Sequence, residues 1–82
     1  MIKLIVTTND LILISQIEEV GADIGEPNCK LIEPYQQHPD LSLTPFLFEY
    51  TDDDTFMVSS DNIFTMADPK KDLLKKYKSL TD

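Results

Sequence analysis

Short apolar runs separated by polar breaks occupy the first part of the chain and predict β-strands. Ile2 to Thr8 and Leu11 to Val20 are rich in isoleucine and valine, whose branched side chains suit the half-buried surface of a sheet. Asn9 and Asp10 stand between the two runs, and both residues tolerate the dihedrals of a tight hairpin turn. The second run lacks the three-four spacing of an amphipathic helix, so we expect two strands joined by a hairpin.

The middle of the chain alternates between loops and further strands. Gly21 to Pro27 contains both glycines of the chain and one proline, which marks a loop. Asn28 to Gln36 follows as a third strand, interrupted at Pro34 by a bulge or an unpaired edge because proline has no N–H to donate. After a variable loop from Gln37 to Thr44, the alternation of aromatic residues in Pro45 to Tyr50 predicts a fourth strand with one buried face.

The stretch from Phe56 to Met66 consists of two apolar runs around the polar break Ser59-Ser60-Asp61-Asn62. Valine, isoleucine, threonine and phenylalanine favour strands, whereas serine, aspartate and asparagine bond to nearby backbone groups and favour turns. Its simplest interpretation is therefore a β-hairpin.

The last part of the chain has the pattern of an amphipathic helix. Asp68 is a suitable N-cap, and Pro69 suits the first helical position because its missing N–H would have no partner there. Four apolar residues then fall on one face at helical spacing, namely Leu73, Leu74, Tyr77 and Leu80. We expect one domain over residues 1–82, with strands in 2–67 and a helix in 68–81 that docks its apolar face on the strands of its own chain or on a neighbouring subunit.

Charge divides the chain into an acidic body and a basic end. The net charge is −8 and there is no arginine. Residues 70–82 carry +3, so the preceding residues hold −11, a charge that repels phosphate and other acidic surfaces. No signal-peptide pattern or membrane-length apolar run is present, and the single cysteine fits a reducing compartment. We therefore expect a cytoplasmic protein, with no membrane partner.

Few residues are candidates for catalysis or metal binding, and for each of them a structural role is the better interpretation. Asp52-Asp53-Asp54 is a solvated turn or, alternatively, a site for a hard cation. His38 lies in a loop without a second ligand at metal-binding spacing. Cys29 alternates with Leu31 and is interpreted as a small buried side chain rather than a nucleophile. The sequence therefore predicts no enzyme activity and no cofactor.

Val58 to Ile63 resembles the second motif of the Sm and LSm proteins, in which an apolar residue precedes Arg, Gly, Asp or Asn, any residue, and Val or Ile. Asn28 to Leu31 is similar to the Asn-Leu-x-Leu start of the third strand in that family's first motif. Ser59 and Ser60 occupy the Arg and Gly positions, and Glu26 occupies the position of the base-stacking residue. The acidic, arginine-free chain looks closest to divergent Sm-like proteins of phages and marine bacteria.

The resemblance implies a small, strongly bent, five-stranded Sm-like (SH3-like) barrel, here with its helix at the C-terminus. It also implies a homo-oligomeric ring of about five to seven subunits, closed by pairing Phe56 to Ser59 with Ile63 to Met66 of the next subunit. The function implied is RNA binding in the cytoplasm of a bacterium or phage-infected host. The candidate RNA-binding residues are Asn28, Ser59, Ser60, Asp61, Asn62 and Lys75. The alternative is an acidic protein-interaction scaffold ring that binds a basic protein and no nucleic acid.

Overall fold

The computed structural model describes residues 1–82 and shows a mainly β fold with one C-terminal helix, as the sequence predicts. The elements are β1 (Ile2–Thr7), β2 (Ile12–Glu19), β3 (Cys29–Gln37), β4 (Leu43–Pro45), β5 (Thr55–Val58), a 3₁₀ turn (Ser60–Asn62), β6 (Ile63–Ala67) and α1 (Lys71–Thr81). The six strands form one antiparallel sheet, in which β4 and β5 both pair with β3 and the remaining neighbours follow in the order β3-β2-β1-β6.

β1 and β2 form the predicted hairpin, in register with Leu4 opposite Ile14. The N–H of Asp10 donates to the carbonyl of Thr7 at 3.1 Å. Asp10 has a φ of 68°, a left-handed dihedral that aspartate adopts more readily than most residues. The turn residues thus behave as their sequence indicates.

β3 is divided into two halves at Glu33 and Pro34, where the sequence predicts an interruption. Glu33 has a φ of 53°, which turns the chain at this point. The half before the turn pairs with β5, and the half after it pairs with β4. One strand therefore supports two partners along the same edge.

The sheet must curl, because the four-residue connection from Val58 to Ile63 joins strands on opposite sides of it. β5 pairs with β3, and β6 pairs with β1. In a flat sheet these two strands would be four spacings apart, about 19 Å. A connection containing a 3₁₀ turn, which rises only about 2 Å per residue, is too short for that span. The sheet is a strongly curved, open barrel in which β5 and β6 are not paired with each other, so the β-hairpin predicted over Phe56 to Met66 is wrong.

The core lies on the concave face of this sheet. Ile5, Leu13 and Leu31 form its fully buried centre. Side chains from every edge of the barrel pack around them while remaining partly exposed, namely Leu11, Ile17, Phe46, Val58 and Ile63. Only 8 of the 82 residues are buried, so this chain alone has a small core even for its size.

The predicted strand from Pro45 to Tyr50 is wrong, because the chain pairs only over Leu43–Pro45 and then forms consecutive turns. Further pairing along β3 is blocked by the segment that leads into β5. The N–H of Glu33 donates to the carbonyl of Asp54, and Ile32 pairs with Thr55. The edge that a longer β4 would need is therefore already occupied.

α1 docks on the barrel of its own chain through Tyr77, which is completely buried. The Tyr77 hydroxyl donates to the carbonyl of Glu33 at 2.8 Å and accepts from the N–H of Gln16 at 3.3 Å. The ring of Tyr77 meets that of Tyr35 edge to face, with centroids 5.8 Å apart. Of the remaining stripe, Leu73 and Leu74 are half-buried, whereas Leu80 is exposed.

The predicted N-cap role of Asp68 is wrong. α1 begins at Lys71, and its N-cap is Lys70, whose side chain makes no capping bond. Asp68 instead accepts an ion-pair hydrogen bond from the Lys3 ammonium at 2.6 Å. This carboxylate therefore ties the segment before the helix to β1, a contact that local sequence does not reveal.

Candidate functional site

The structure brings together two of the predicted site residues, Asn28 and Ser60, by direct contact. The Asn28 side-chain oxygen accepts the backbone N–H of Ser60 at 2.8 Å, and its Nδ2 donates to the Ser60 hydroxyl at 3.0 Å. Asn28 directly precedes β3, and Ser60 opens the 3₁₀ turn between β5 and β6. The asparagine therefore fixes the turn to the start of β3, and the oxygen and one N–H of its side-chain amide are already bonded within the chain.

The turn itself is held at both ends. The Ser59 hydroxyl accepts the N–H of Asp61 at 3.2 Å, which caps the 3₁₀ segment. At the other end, the carbonyl of Asn62 accepts the N–H of Thr8 at 2.9 Å. The polar break that the sequence places here thus supplies its own side-chain cap, as expected of serine.

A shallow pocket of about 230 Å³ opens beside this turn. Asn28, Ser59, Ser60 and Asp61 line one side of it, and the loop of residues 22–26 lines the other. Asp23, Glu26 and Asp61 contribute carboxylates, and no aromatic ring or basic side chain is part of the wall. Such a wall offers the base of a nucleotide no aromatic surface to stack on, and its carboxylates repel the phosphate of the nucleotide.

The remaining two predicted site residues lie outside this pocket. Asn62 borders a different opening, with Thr8 and Asn9. Lys75 is exposed in the middle of α1, and the hydrogen bonds from α1 to the barrel run to residues of β2, β3 and the β3–β4 turn. These contacts do not bring Lys75 to the pocket of its own chain, and Lys75 is not among the residues that line it.

Cys29 follows Asn28 directly and is buried at the start of β3, as its alternation with Leu31 predicts. Burial, together with a smaller effect of the nearby Glu19 carboxylate, raises the pKa of the Cys29 thiol above its ordinary value. A raised pKa keeps the sulfur protonated at neutral pH, and a thiol is a poor nucleophile. The residue therefore behaves as a small apolar side chain.

The two strands beside the turn each have a free edge. β5 pairs only with β3, and β6 pairs only with β1. Large apolar side chains stand exposed on them, with Met57 on β5 and Phe64 and Met66 on β6. Phe64, at the irregularity in the β1–β6 register, has 76% of its surface exposed.

A second opening of about 370 Å³ lies between these two strands. Val58 of β5 and Ile63 of β6 stand on its wall, and the core residues Ile5, Leu13 and Leu31 form its floor. Around these buried residues, Leu11, Val58 and Ile63 remain partly exposed on the side where β5 and β6 fail to pair.

One cluster that the sequence pattern does not reveal lies around the turns after β4. A groove of about 300 Å³ is lined by aromatic rings from three elements and by a series of carboxylates. The aromatic residues are Tyr35, Phe46, Phe48 and Phe56, and the acidic residues are Glu33, Asp52, Asp53 and Asp54. The only sequence signal is the change from aromatic to acidic residues in PFLFEYTDDD, because Glu33 and Tyr35 come from the distant β3.

His38 and the three consecutive aspartates show no ligand arrangement. A ring nitrogen of His38 bonds to the hydroxyl of Thr44 at 2.7 Å, across the β3–β4 turn. No group of three or more histidine, cysteine, aspartate or glutamate side chains is arranged to hold a metal ion. Helix α1 has neither the length nor the apolar character to span a membrane.

A family model matches residues 1–82, the whole of the chain described above. The chain belongs to DUF6561, a family of unknown function. No curated protein matches this DUF6561 member.

Proposed function

We propose that this DUF6561 protein is the subunit of a Sm-like homo-oligomeric ring that serves as an acidic scaffold for protein partners. The observation that carries the proposal is the pair of free edges on β5 and β6, each with exposed apolar side chains. Unpaired edges are usually covered, twisted or charged in proteins that remain monomeric. Here Met57 and Phe64 stand where lysine would be expected.

Pairing β5 of one subunit with β6 of the next would satisfy both edges. The contact is head-to-tail, so it generates a ring when its rotation closes, with about five to seven subunits on the Sm resemblance. The neighbouring subunit would also cover the opening between β5 and β6, where Leu11, Val58 and Ile63 remain partly exposed. This burial would enlarge a core that is small in the single chain.

The chemistry beside the turn favours proteins over nucleic acid as partners. The Asn28 side chain makes two hydrogen bonds to Ser60. The adjoining pocket is lined by carboxylates and has no aromatic wall. A ring would repeat this acidic surface in every subunit, so that a basic protein could bind at several equivalent places with high avidity. No step of this function is enzymatic, and we place it in the cytoplasm.

The ring is tested by multi-angle light scattering at micromolar concentration on the intact chain. The expected mass is about five to seven times that of the chain. Phe64→Lys should dissociate the assembly, because a charged side chain on an edge strand opposes pairing. Ile24→Lys is the matched control, since Ile24 is fully exposed in the loop after β2. A monomeric parent chain, or equal assembly of the two variants, contradicts the ring.

RNA binding is the second candidate, favoured by the lysines of α1 and the residue before it. Lys70, Lys71, Lys75, Lys76 and Lys78 are all exposed, and in a ring they would be repeated on every subunit. Lysine can supply the sequence-independent attraction to phosphate.

Fluorescence anisotropy with U-rich and A-rich RNA at low salt tests this candidate. If RNA binds, Lys75→Glu should weaken binding, and Asp72→Asn, which makes the same helix less acidic, should strengthen it. Absence of binding at about 10 µM protein, under conditions that favour electrostatic attraction, removes RNA as a partner. A basic protein recovered with the ring after nuclease treatment supports the scaffold instead.

A further inference from the structure

The aromatic and acidic groove after β4, lined by Tyr35, Phe46, Phe48 and Phe56 with Glu33 and residues 52–54, is built by distant parts of the chain. Phe46 packs edge to face against Phe56, with ring centroids 5.4 Å apart. Phe46 is held in place because its N–H donates to the carbonyl of Pro34 at 2.9 Å. Phe48 remains 54% exposed at the rim, so an aromatic ring is accessible to a ligand.

The carboxylates around the groove have no cationic partner within the chain. The single ion pair of the structure joins Lys3 to Asp68, at a different place. The Asp54 carboxylate accepts only the hydroxyl of Thr55, at 3.3 Å. The groove therefore combines an apolar aromatic wall with several uncompensated negative charges.

We infer that this groove binds an arginine side chain presented by a basic partner protein. A guanidinium group is planar and stacks on aromatic rings, while its N–H groups bond to carboxylates in pairs. The aromatic wall of the groove can stack on the plane of the guanidinium group, and the acidic rim can accept its N–H hydrogen bonds. Because the chain contains no arginine, the side chain must come from another protein. The inference rests on the proposed scaffold function and specifies where its partner binds.

Fluorescence anisotropy with a labelled peptide of alternating arginine and glycine tests the site on the full chain at about 0.15 M salt. A peptide with lysine in place of arginine should bind more weakly, because an ammonium group cannot stack or bond in pairs. Phe48→Ala should raise the Kd of the arginine peptide about tenfold by removing the accessible ring. Tyr50→Ala removes an exposed aromatic ring from the same turn but outside the groove, and it should leave the Kd within about twofold.

A second pair of variants separates the site from the overall charge. The double variant D52N/D53N removes two charges at the groove, whereas E18Q/E19Q removes two exposed charges of β2, outside both the groove and the pocket beside Ser60. Weaker binding confined to the first supports the groove. Equal loss in both, or equal binding of the arginine and lysine peptides, overturns the inference in favour of attraction by net charge alone.

Light scattering on the same samples distinguishes failure of this inference from failure of the ring. If the ring is intact but binds the arginine and lysine peptides equally, the inference about the groove is overturned and the proposed ring is retained. A monomer whose selective binding depends on Phe48 overturns the ring and supports the groove. If Phe48→Ala instead lowers the mass of the assembly, the groove is occupied by a second copy, and the inference is overturned.

Discussion

Asn28 and Ser60 are 32 positions apart in the sequence, yet each supplies both a donor and an acceptor to the other. The pair joins the start of β3 to the turn between β5 and β6. It thereby holds the two strands with free edges at a fixed place relative to the barrel. Asn28 therefore has an architectural role that is complete without a ligand.

Asn28→Ala should lower the free energy of unfolding by about 1–2 kcal/mol, because it removes two hydrogen bonds near the surface. Urea denaturation followed by circular dichroism measures the change. Asn62→Ala is the matched control, since no hydrogen bond of the Asn62 side chain is present in the structure. Equal stability of the two variants would show that the Asn28–Ser60 pair does not hold the turn.

Tyr77→Phe should destabilise the protein by about 1–3 kcal/mol, although it keeps the aromatic side chain and removes only the hydroxyl. The hydroxyl satisfies buried backbone groups of Gln16 and Glu33, and removing it leaves those groups without this partner. Chemical denaturation provides the measurement. Tyr35→Phe makes the same chemical change on the ring that contacts Tyr77, and it should have little effect because the Tyr35 hydroxyl has no comparable role.

The contribution of the Tyr77 hydroxyl should also depend on pH. Burial is the largest influence on the pKa of Tyr77 and raises it above the ordinary value, so the folded state favours the neutral phenol. The stabilisation is therefore complete below the pKa of the unfolded chain, about 10, and is lost as the pH rises through the higher folded value. The stability difference between the parent and Tyr77→Phe should shrink above pH of about 10. A difference that stays constant to high pH would contradict this assignment.

Leu74→Asp should destabilise the protein strongly, by about 2 kcal/mol or more, because it places an unpaired charge on the half-buried face of α1. Lys75→Glu changes the charge of the adjacent exposed residue and should have little effect on folding. Thermal melting of both variants beside the parent is the test. A parent-like melting temperature for Leu74→Asp would mean that α1 is a free tail.

Local sequence was sufficient to predict most of the strands and the C-terminal helix. The runs at β1 and β2, the turn at Asn9 and Asp10, and the interruption of β3 at Pro34 depend on side-chain branching and on missing donors. These are properties of neighbouring residues, and they act wherever the segment is placed. The spacing of Leu73, Leu74 and Tyr77 similarly indicates a helix whatever surface it meets.

Tertiary structure decided the features that depend on residues far apart in sequence. The alternating aromatic residues after Pro45 form turns instead of a strand, because β5 already occupies the edge of β3 that they would need. Asp68 pairs with Lys3 instead of capping α1, and Asn28 bonds to Ser60 beside the pairing of β3 with β5. Each outcome reflects competition for a hydrogen-bonding partner brought close by folding, and the periodicity of a single segment contains no information about that competitor.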